Sequence, residues 1–320
     1  MKKAFLPILC FLLLFSCKKH HEAVTTPQPQ DSLGTGWTKI TGITKGFISD
    51  IFFVGSTGYL SGDNAIYRST NGGDNWQKVY QSNATFQNIG MGSADNAFFV
   101  CGDNKKLIFS TTNGGTSFDS TDLGANFSDV FFVGSQVAYA VSGKLWKSVN
   151  GGKTWTAIYT FPGSGSTYDI LFFISEQIGW ATVNDILYKT VNSGVSWTPV
   201  TNHGLTTGSR FGYCLFFTDV NNGYYGNGIL IKKTTDGGAN WSTVFKSGAS
   251  YGGWQDLHFF TPEIGYLTDY STVKKTIDGG ATWTREVHLT DDNFGIELHF
   301  TDANHGWVGT SKGTILKFTK

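Results

Sequence analysis

The stretch Ser69-Thr70-Asn71-Gly72-Gly73-Asp74-Asn75-Trp76 decides the fold, because variants of it come back five more times. The copies run Thr111 to Phe118, Ser148 to Trp155, Thr190 to Trp197, Thr234 to Trp241 and Thr276 to Trp283. Their closing aromatics are 42, 37, 42, 44 and 42 residues apart. A period near forty made of short apolar runs predicts one supersecondary unit stacked many times. Each part of the octet has a job in a turn. The Asn or Asp side chain accepts hydrogen bonds from backbone N–H groups about two residues on. Glycine takes positive φ at little cost. The Ser or Thr hydroxyl ties the preceding strand to the turn, and the aromatic buries a broad apolar face. Asn71, Asn113, Asn150, Asn192, Asp236 and Asp278, with Trp76, Phe118, Trp155, Trp197, Trp241 and Trp283, are therefore read as structural.

Working outward, each unit opens on an apolar run such as Ile51 to Val54, Val130 to Val133, Ile170 to Phe173, Cys214 to Phe217, Leu257 to Phe260 or Leu298 to Phe300. A second strand often begins with Gly and an aromatic, as at Gly58-Tyr59, Gly179-Trp180 and Gly223-Tyr224. A third strand leads into the octet and a fourth begins at its aromatic. Four short antiparallel strands, repeated, predict propeller blades. Six units are complete. The seventh, from Gly295 to Lys320, stops after its third strand. Trp37 to Ile40 looks like a fourth strand with no blade before it, so it is expected to close the seventh blade and remove an exposed edge. The fold class is all-β: a seven-bladed β-propeller of four-stranded antiparallel blades over residues 37–320.

Ahead of it, Met1-Lys2-Lys3 and the apolar run Ala4 to Phe15 read as a signal segment, too short to span a bilayer comfortably. It ends Leu14-Phe15-Ser16-Cys17, which resembles a bacterial lipobox. That resemblance implies a signal peptide over 1–16 and a lipidated Cys17 heading a flexible tether over 17–36, so that the protein is anchored to a membrane of the cell envelope. An ordinary secretory peptide cut nearby is the alternative. Cys101 and Cys214 read as two buried free thiols rather than a disulfide. With 24 basic and 24 acidic residues the formal net charge is zero, which argues against nucleic acid as a partner.

The octet resembles the Asp-box of bacterial neuraminidase (BNR) repeats. The whole unit more closely resembles the repeat of the photosystem II assembly and stability factors of cyanobacteria and chloroplasts. The shared residues are an acidic residue, an apolar run with Phe, a Gly-aromatic pair and the Asp-Gly-Gly-x-x-Trp turn, over about 37–320. The resemblance implies the propeller and leaves the role open. Four of the six boxes carry Asn rather than Asp, Phe118 replaces Trp, and Ser193 replaces the first Gly.

Sialidase chemistry needs an arginine triad, and this chain has only Arg68, Arg210 and Arg285, two of them beside boxes at the blade periphery. A glycoside hydrolase of the xyloglucanase type would use two carboxylates. Asp50, Asp129, Asp169, Asp256 and Glu297 recur at the start of the innermost strands and are expected to ring one mouth of the central channel. Asp129, Asp169 and Asp256 are the candidate catalytic set for that alternative. The competing reading is that each carboxylate satisfies backbone donors at strand entry. His258 and His299 are expected near each other in the channel, without metal-ligand spacing, and no metal or cofactor is expected. The longest inter-blade loops, Thr156 to Thr167, Thr198 to Phe211 and Ser242 to Trp254, carry Phe161, His203, Arg210, Phe211, Tyr251 and Trp254 amid small residues. These are the candidate binding face, although aromatics recur before the inner strands as packing would require. The leading expectation is a non-enzymatic, lipid-anchored, monomeric propeller that binds an envelope protein or a glycan.

Overall fold

A computed structural model describes residues 30–102, 106–163, 169–204, 213–247, 256–290 and 293–320. All of its regular elements are strands, in seven antiparallel sheets. The first blade shows the plan: Ile48–Val54 innermost, then Thr57–Gly62, Ala65–Ser69 and Gln77–Gln81 at the rim. The second strand of a blade is buried along its whole length, whereas the rim strand is largely exposed. Seven apolar clusters fill the described interior, one at each joint between neighbouring blades.

The Gly-aromatic pair is explained at those joints. The last inner-strand Phe of a blade lies over the glycine, so that a Cβ at Gly58, Gly179, Gly223, Gly265 or Gly306 would come within 2.1–2.5 Å of a ring. On the other side of that Phe stacks the aromatic of the preceding blade. Trp307 stacks on Phe53 with centroids 3.6 Å apart, Tyr139 on Phe173 at 4.0 Å, Trp180 on Phe217 at 3.5 Å and Tyr224 on Phe259 at 3.7 Å. A lysine of the third strand lies over several of the same rings, as Lys189 does over Trp180. The Lys189 ammonium also donates to the Gly237 carbonyl of the next blade (3.0 Å), a staple that the sequence reading missed.

The six boxes are built alike. In the first, the buried Ser69 hydroxyl donates to Asn71 Oδ1 (3.0 Å) and accepts from the Gly73 N–H (2.8 Å). Asn71 Oδ1 accepts from the Asn75 N–H (3.0 Å), four residues on rather than two, because the turn makes one full loop before the rim strand starts. The rim strands start one residue after the box aromatic, not at it. Gly72, Gly114, Gly151, Gly237 and Gly279 hold φ between 67° and 71°, and Ser193 is forced to 60° at the same position.

Trp37–Ile40 pairs antiparallel with Ile315–Thr319 and completes the seventh blade, with Gly295–Asp302 innermost. The N-terminal segment does more than this. Ser32–Leu33 adds a fifth strand to the sixth blade, pairing with His288 and Val287. Asp31 accepts hydrogen bonds from the Thr290 N–H (2.8 Å) and hydroxyl (2.9 Å) and pairs with Lys39. Ahead of Trp37, residues 31–33 thus already contact the propeller, on its sixth blade. Cys101 and Cys214 are buried, and neither forms a disulfide.

Candidate functional site

The inner strands converge on the channel, and their register decides which side chains face it. The Phe opposite the glycine is a fixed mark: Phe53 pairs with Gly58, Phe173 with Gly179, Phe217 with Gly223, Phe259 with Gly265 and Phe300 with Gly306. Counting back three residues from that mark gives Asp50, Ile170, Cys214, Asp256 and Glu297. In the second and third blades, Met91 opposite Ala97 and Phe132 opposite Ala138 mark Asn88 and Asp129 in the same way. Asp169 is one residue out of register. Alternation in a strand sends it to the other side. It is 2 % exposed, accepts from the Asn184 N–H (3.3 Å), and does not line the channel cavity. The expectation that Asp169 belongs to a channel-mouth carboxylate ring is thereby corrected, and so is its place in a catalytic set with Asp129 and Asp256. Asn88 and Cys214 take positions in the ring that the sequence reading did not give them.

A cavity of about 160 Å³ at the mouth is lined by Asp50, Asn88, Asp129, Asp256, Glu297 and His299 with their apolar neighbours. Most of these polar groups face the next blade. Asp50 Oδ2 accepts from the Ile89 N–H (2.5 Å), Asn88 Oδ1 from Val130 (3.3 Å), Asp129 Oδ2 from Leu171 (2.8 Å) and Asp256 Oδ2 from Leu298 (2.8 Å). Side-chain hydrogen bonding between Asp256 and Glu297 lowers the former and raises the latter, and that from Asn88 lowers Asp129. Burial dominates the electrostatics. It pushes Asp129 up to about 7, against the lowering effect of its hydrogen bonds. Asp50, Asp256 and Glu297 are raised by burial too, and Asp50 and Glu297 also by the other carboxylates.

His258 and His299 do meet, with ring centroids 6.3 Å apart and nearly perpendicular. His299 Nε2 lies 2.9 Å from the Phe53 carbonyl oxygen, and burial holds both imidazoles well below their usual range, at about 3 for His258 and about 4 for His299. They are neutral aromatic packing groups at the channel wall. No cluster of His, Cys, Asp or Glu among the described residues could hold a metal ion.

Two candidates for the binding face fall on described residues, and both are buried. Phe161 is 1 % exposed and packs against Tyr188 and Trp197. His203 sits edge-on to Tyr225, with its proton affinity lowered by burial and by Lys232. Phe161 is thus a core residue and not an exposed aromatic. Arg210, Phe211, Tyr251 and Trp254 lie outside the described residues, as does Cys17. Two larger cavities open on the box face instead. One, of about 460 Å³, lies between the fourth and fifth blades beside Lys189, Val191 and Gly237; the other, of about 570 Å³, lies between the seventh and first beside Trp307, Lys317 and Asn71.

The family model described as photosynthesis system II assembly factor YCF48 matches residues 31–319. A solved structure of YCF48 bound to a D1 peptide is 19 % identical, with a TM-score of 0.71 over 89 % of this chain and 97 % of that one. YCF48 from Cyanidioschyzon merolae is 18 % identical, with a TM-score of 0.68 over 89 % of this chain and 98 % of its own. The GH74 xyloglucanase from Xanthomonas campestris is 17 % identical, with a TM-score of 0.68 over 88 % of this chain but only 54 % of the enzyme. At these identities the structural likenesses speak for the fold alone. No curated protein matches the sequence.

Proposed function

The chain belongs to the family of the photosynthesis system II assembly factor YCF48, and from that membership we propose that it is a non-enzymatic scaffold that holds a segment of a partner protein. The observation that carries this reading is the state of the channel carboxylates. A glycosidase needs one carboxyl to give a proton and another to attack or activate water, both facing an open cleft. Here Asp50, Asp129 and Asp256 are bonded to backbone amides of adjacent blades, and Asp169 is buried and does not line the channel cavity. These groups hold blades together. A protein partner is favoured over a glycan because a YCF48 structure contains a D1 peptide. We further propose that Cys17 is lipidated and carries the propeller on a membrane of a bacterial cell envelope, as the Leu14-Phe15-Ser16-Cys17 sequence suggests.

The test is capture from detergent-solubilised native envelope with the full chain, beside variants mutated within 198–211 or within 242–254. The scaffold reading expects a specific protein that the wild type retains and a loop variant loses. Xyloglucan hydrolysis by the wild type that disappears in Asp129→Asn would refute it in favour of the hydrolase. For the anchor, a Cys17→Ala variant should leave the membrane fraction; one that stays there counts against lipidation.

A further inference from the structure

The channel mouth raises a question separate from partner binding: what balances its charge. Four carboxyl groups enter one small cavity from four blades: Asp256 from the sixth, Glu297 from the seventh, Asp50 from the first and Asp129 from the third. None of the residues lining that cavity is Lys or Arg. The only other titratable group lining it is His299, and His258 packs against His299 from the neighbouring strand; both imidazoles are neutral, so neither supplies a counter-charge. On the fifth blade the ring position is Cys214, whose thiol is held protonated by burial and by Asp256. Among the described residues no fixed cation therefore faces the cluster, and like charges in a poorly solvated site repel strongly.

Protons are the remaining way to neutralise it, and the hydrogen bonding asks for them. Hydrogen bonding between the neighbouring Asp256 and Glu297 side chains raises Glu297 and so favours a proton there. The inter-blade bonds themselves need only a carbonyl-type acceptor. Asn88 demonstrates this within the same ring, where an uncharged amide oxygen receives the Val130 N–H as Asp129 receives that of Leu171. A protonated carboxyl keeps such an acceptor, whereas an ionised one adds repulsion across the joints.

We propose that the four channel-mouth carboxyl groups form a proton-dependent clamp across the blade joints at the channel mouth, tightened by acid and loosened by alkali. The sign follows from linkage. These groups bind protons more tightly in the folded chain than in the unfolded one, so the folded state holds more protons. Stability from this source is complete below the ordinary carboxylate range, near 4, and is lost as pH rises towards about 8. This is the reverse of the usual carboxylate behaviour.

The experiment is equilibrium urea unfolding between pH 5 and 8.5 at constant ionic strength, on the wild type, D50N, E297Q and the exposed control D119N. The wild type should lose stability with rising pH. Each proton held only by the folded state contributes about a tenfold fall in the folded-to-unfolded ratio per pH unit. D50N and E297Q should each flatten that slope and be more stable than the wild type at pH 8.5, while D119N follows the wild type. A wild-type stability that is flat or rises over this range would overturn the clamp, as would D50N and E297Q variants with the wild-type slope. Should a variant not fold, carboxyl carbon NMR on the wild type decides. At least two side-chain carboxyls titrating above pH 6 support the clamp, and none above pH 5 refutes it.

Discussion

Replacing Trp37 with alanine tests how the ring is closed. The indole is 5 % exposed and lies against Tyr266 of the sixth blade (centroids 6.0 Å apart) and Phe300 and Phe318 of the seventh (6.3 and 5.2 Å). Burying a large aromatic removes about 150–250 Å² from water. At about 25 cal/mol per Å² that is roughly 4–6 kcal/mol, and alanine recovers a small part of it. Aromatic-to-alanine changes in packed cores cost about 3–5 kcal/mol. Trp37 Nε1 has no hydrogen-bond partner among the described residues, so the loss is one of packing and should fall near 3–4 kcal/mol, the lower part of that range. Urea unfolding followed by far-UV circular dichroism gives the change directly, with unchanged m if unfolding stays cooperative. Thr38→Ala on the same strand is the reference. Its exposed hydroxyl donates one long bond (3.3 Å) to Lys317, and its removal should cost within about 0.5 kcal/mol. A Trp37→Ala loss as small as that of Thr38→Ala would mean that the strand decorates the seventh blade without closing it.

Ser193→Gly should stabilise the protein by about 0.5–1 kcal/mol, the relief of a left-handed residue less the entropy of glycine, and a lower melting temperature would contradict this. Gly152→Ala should cost about 3 kcal/mol or more in urea unfolding, since φ is 81° and the new Cβ would fall 1.9 Å from Phe98 Cζ. Asp236 and Asp278 are exposed and held at about 2, Asp236 chiefly by the Asn240 N–H and Asp278 chiefly by the Thr282 hydroxyl. Their contribution is present above the ordinary carboxylate value and is lost as pH falls through about 2, so NMR titration midpoints near 4 would rule out the box hydrogen bonds in solution.

The period, the blade plan and the closing strand were legible because each repeats a pattern of residue types. The register of the channel was only half legible. Asp169 precedes a four-residue run, Ile170 to Phe173, that resembles Ile51 to Val54, yet the Phe that matters is the one facing the glycine. Aligning each run on that pair instead of on its first apolar residue would have excluded Asp169 and found Cys214, whereas Asn88 lies in a blade where Met91 and Ala97 replace the pair. Phe161 read as a loop aromatic because it follows the rim strand Thr156–Thr160. Its N–H bonds to the Gly143 carbonyl (3.0 Å), which turns the ring inward towards Tyr188 and Trp197. The Ser32–Leu33 strand could not be seen at all, since two residues carry no period and their pairing depends on a partner far along the chain.

That partner's distance has a kinetic consequence. Five of the seven sheets join only strands that are neighbours in sequence, so those blades can form as they are made. Closure is different: Thr38 reaches Lys317 across 279 residues. Contacts of such separation form late, because the chain must be ordered before they can meet. Until the last strand, Ile315–Thr319, has left the ribosome, Trp37–Ile40 has no sheet to join. The Ser32–Leu33 strand finds its place one blade sooner, on Thr284–His288, and holds the N-terminal segment beside the site where the final blade is still to appear.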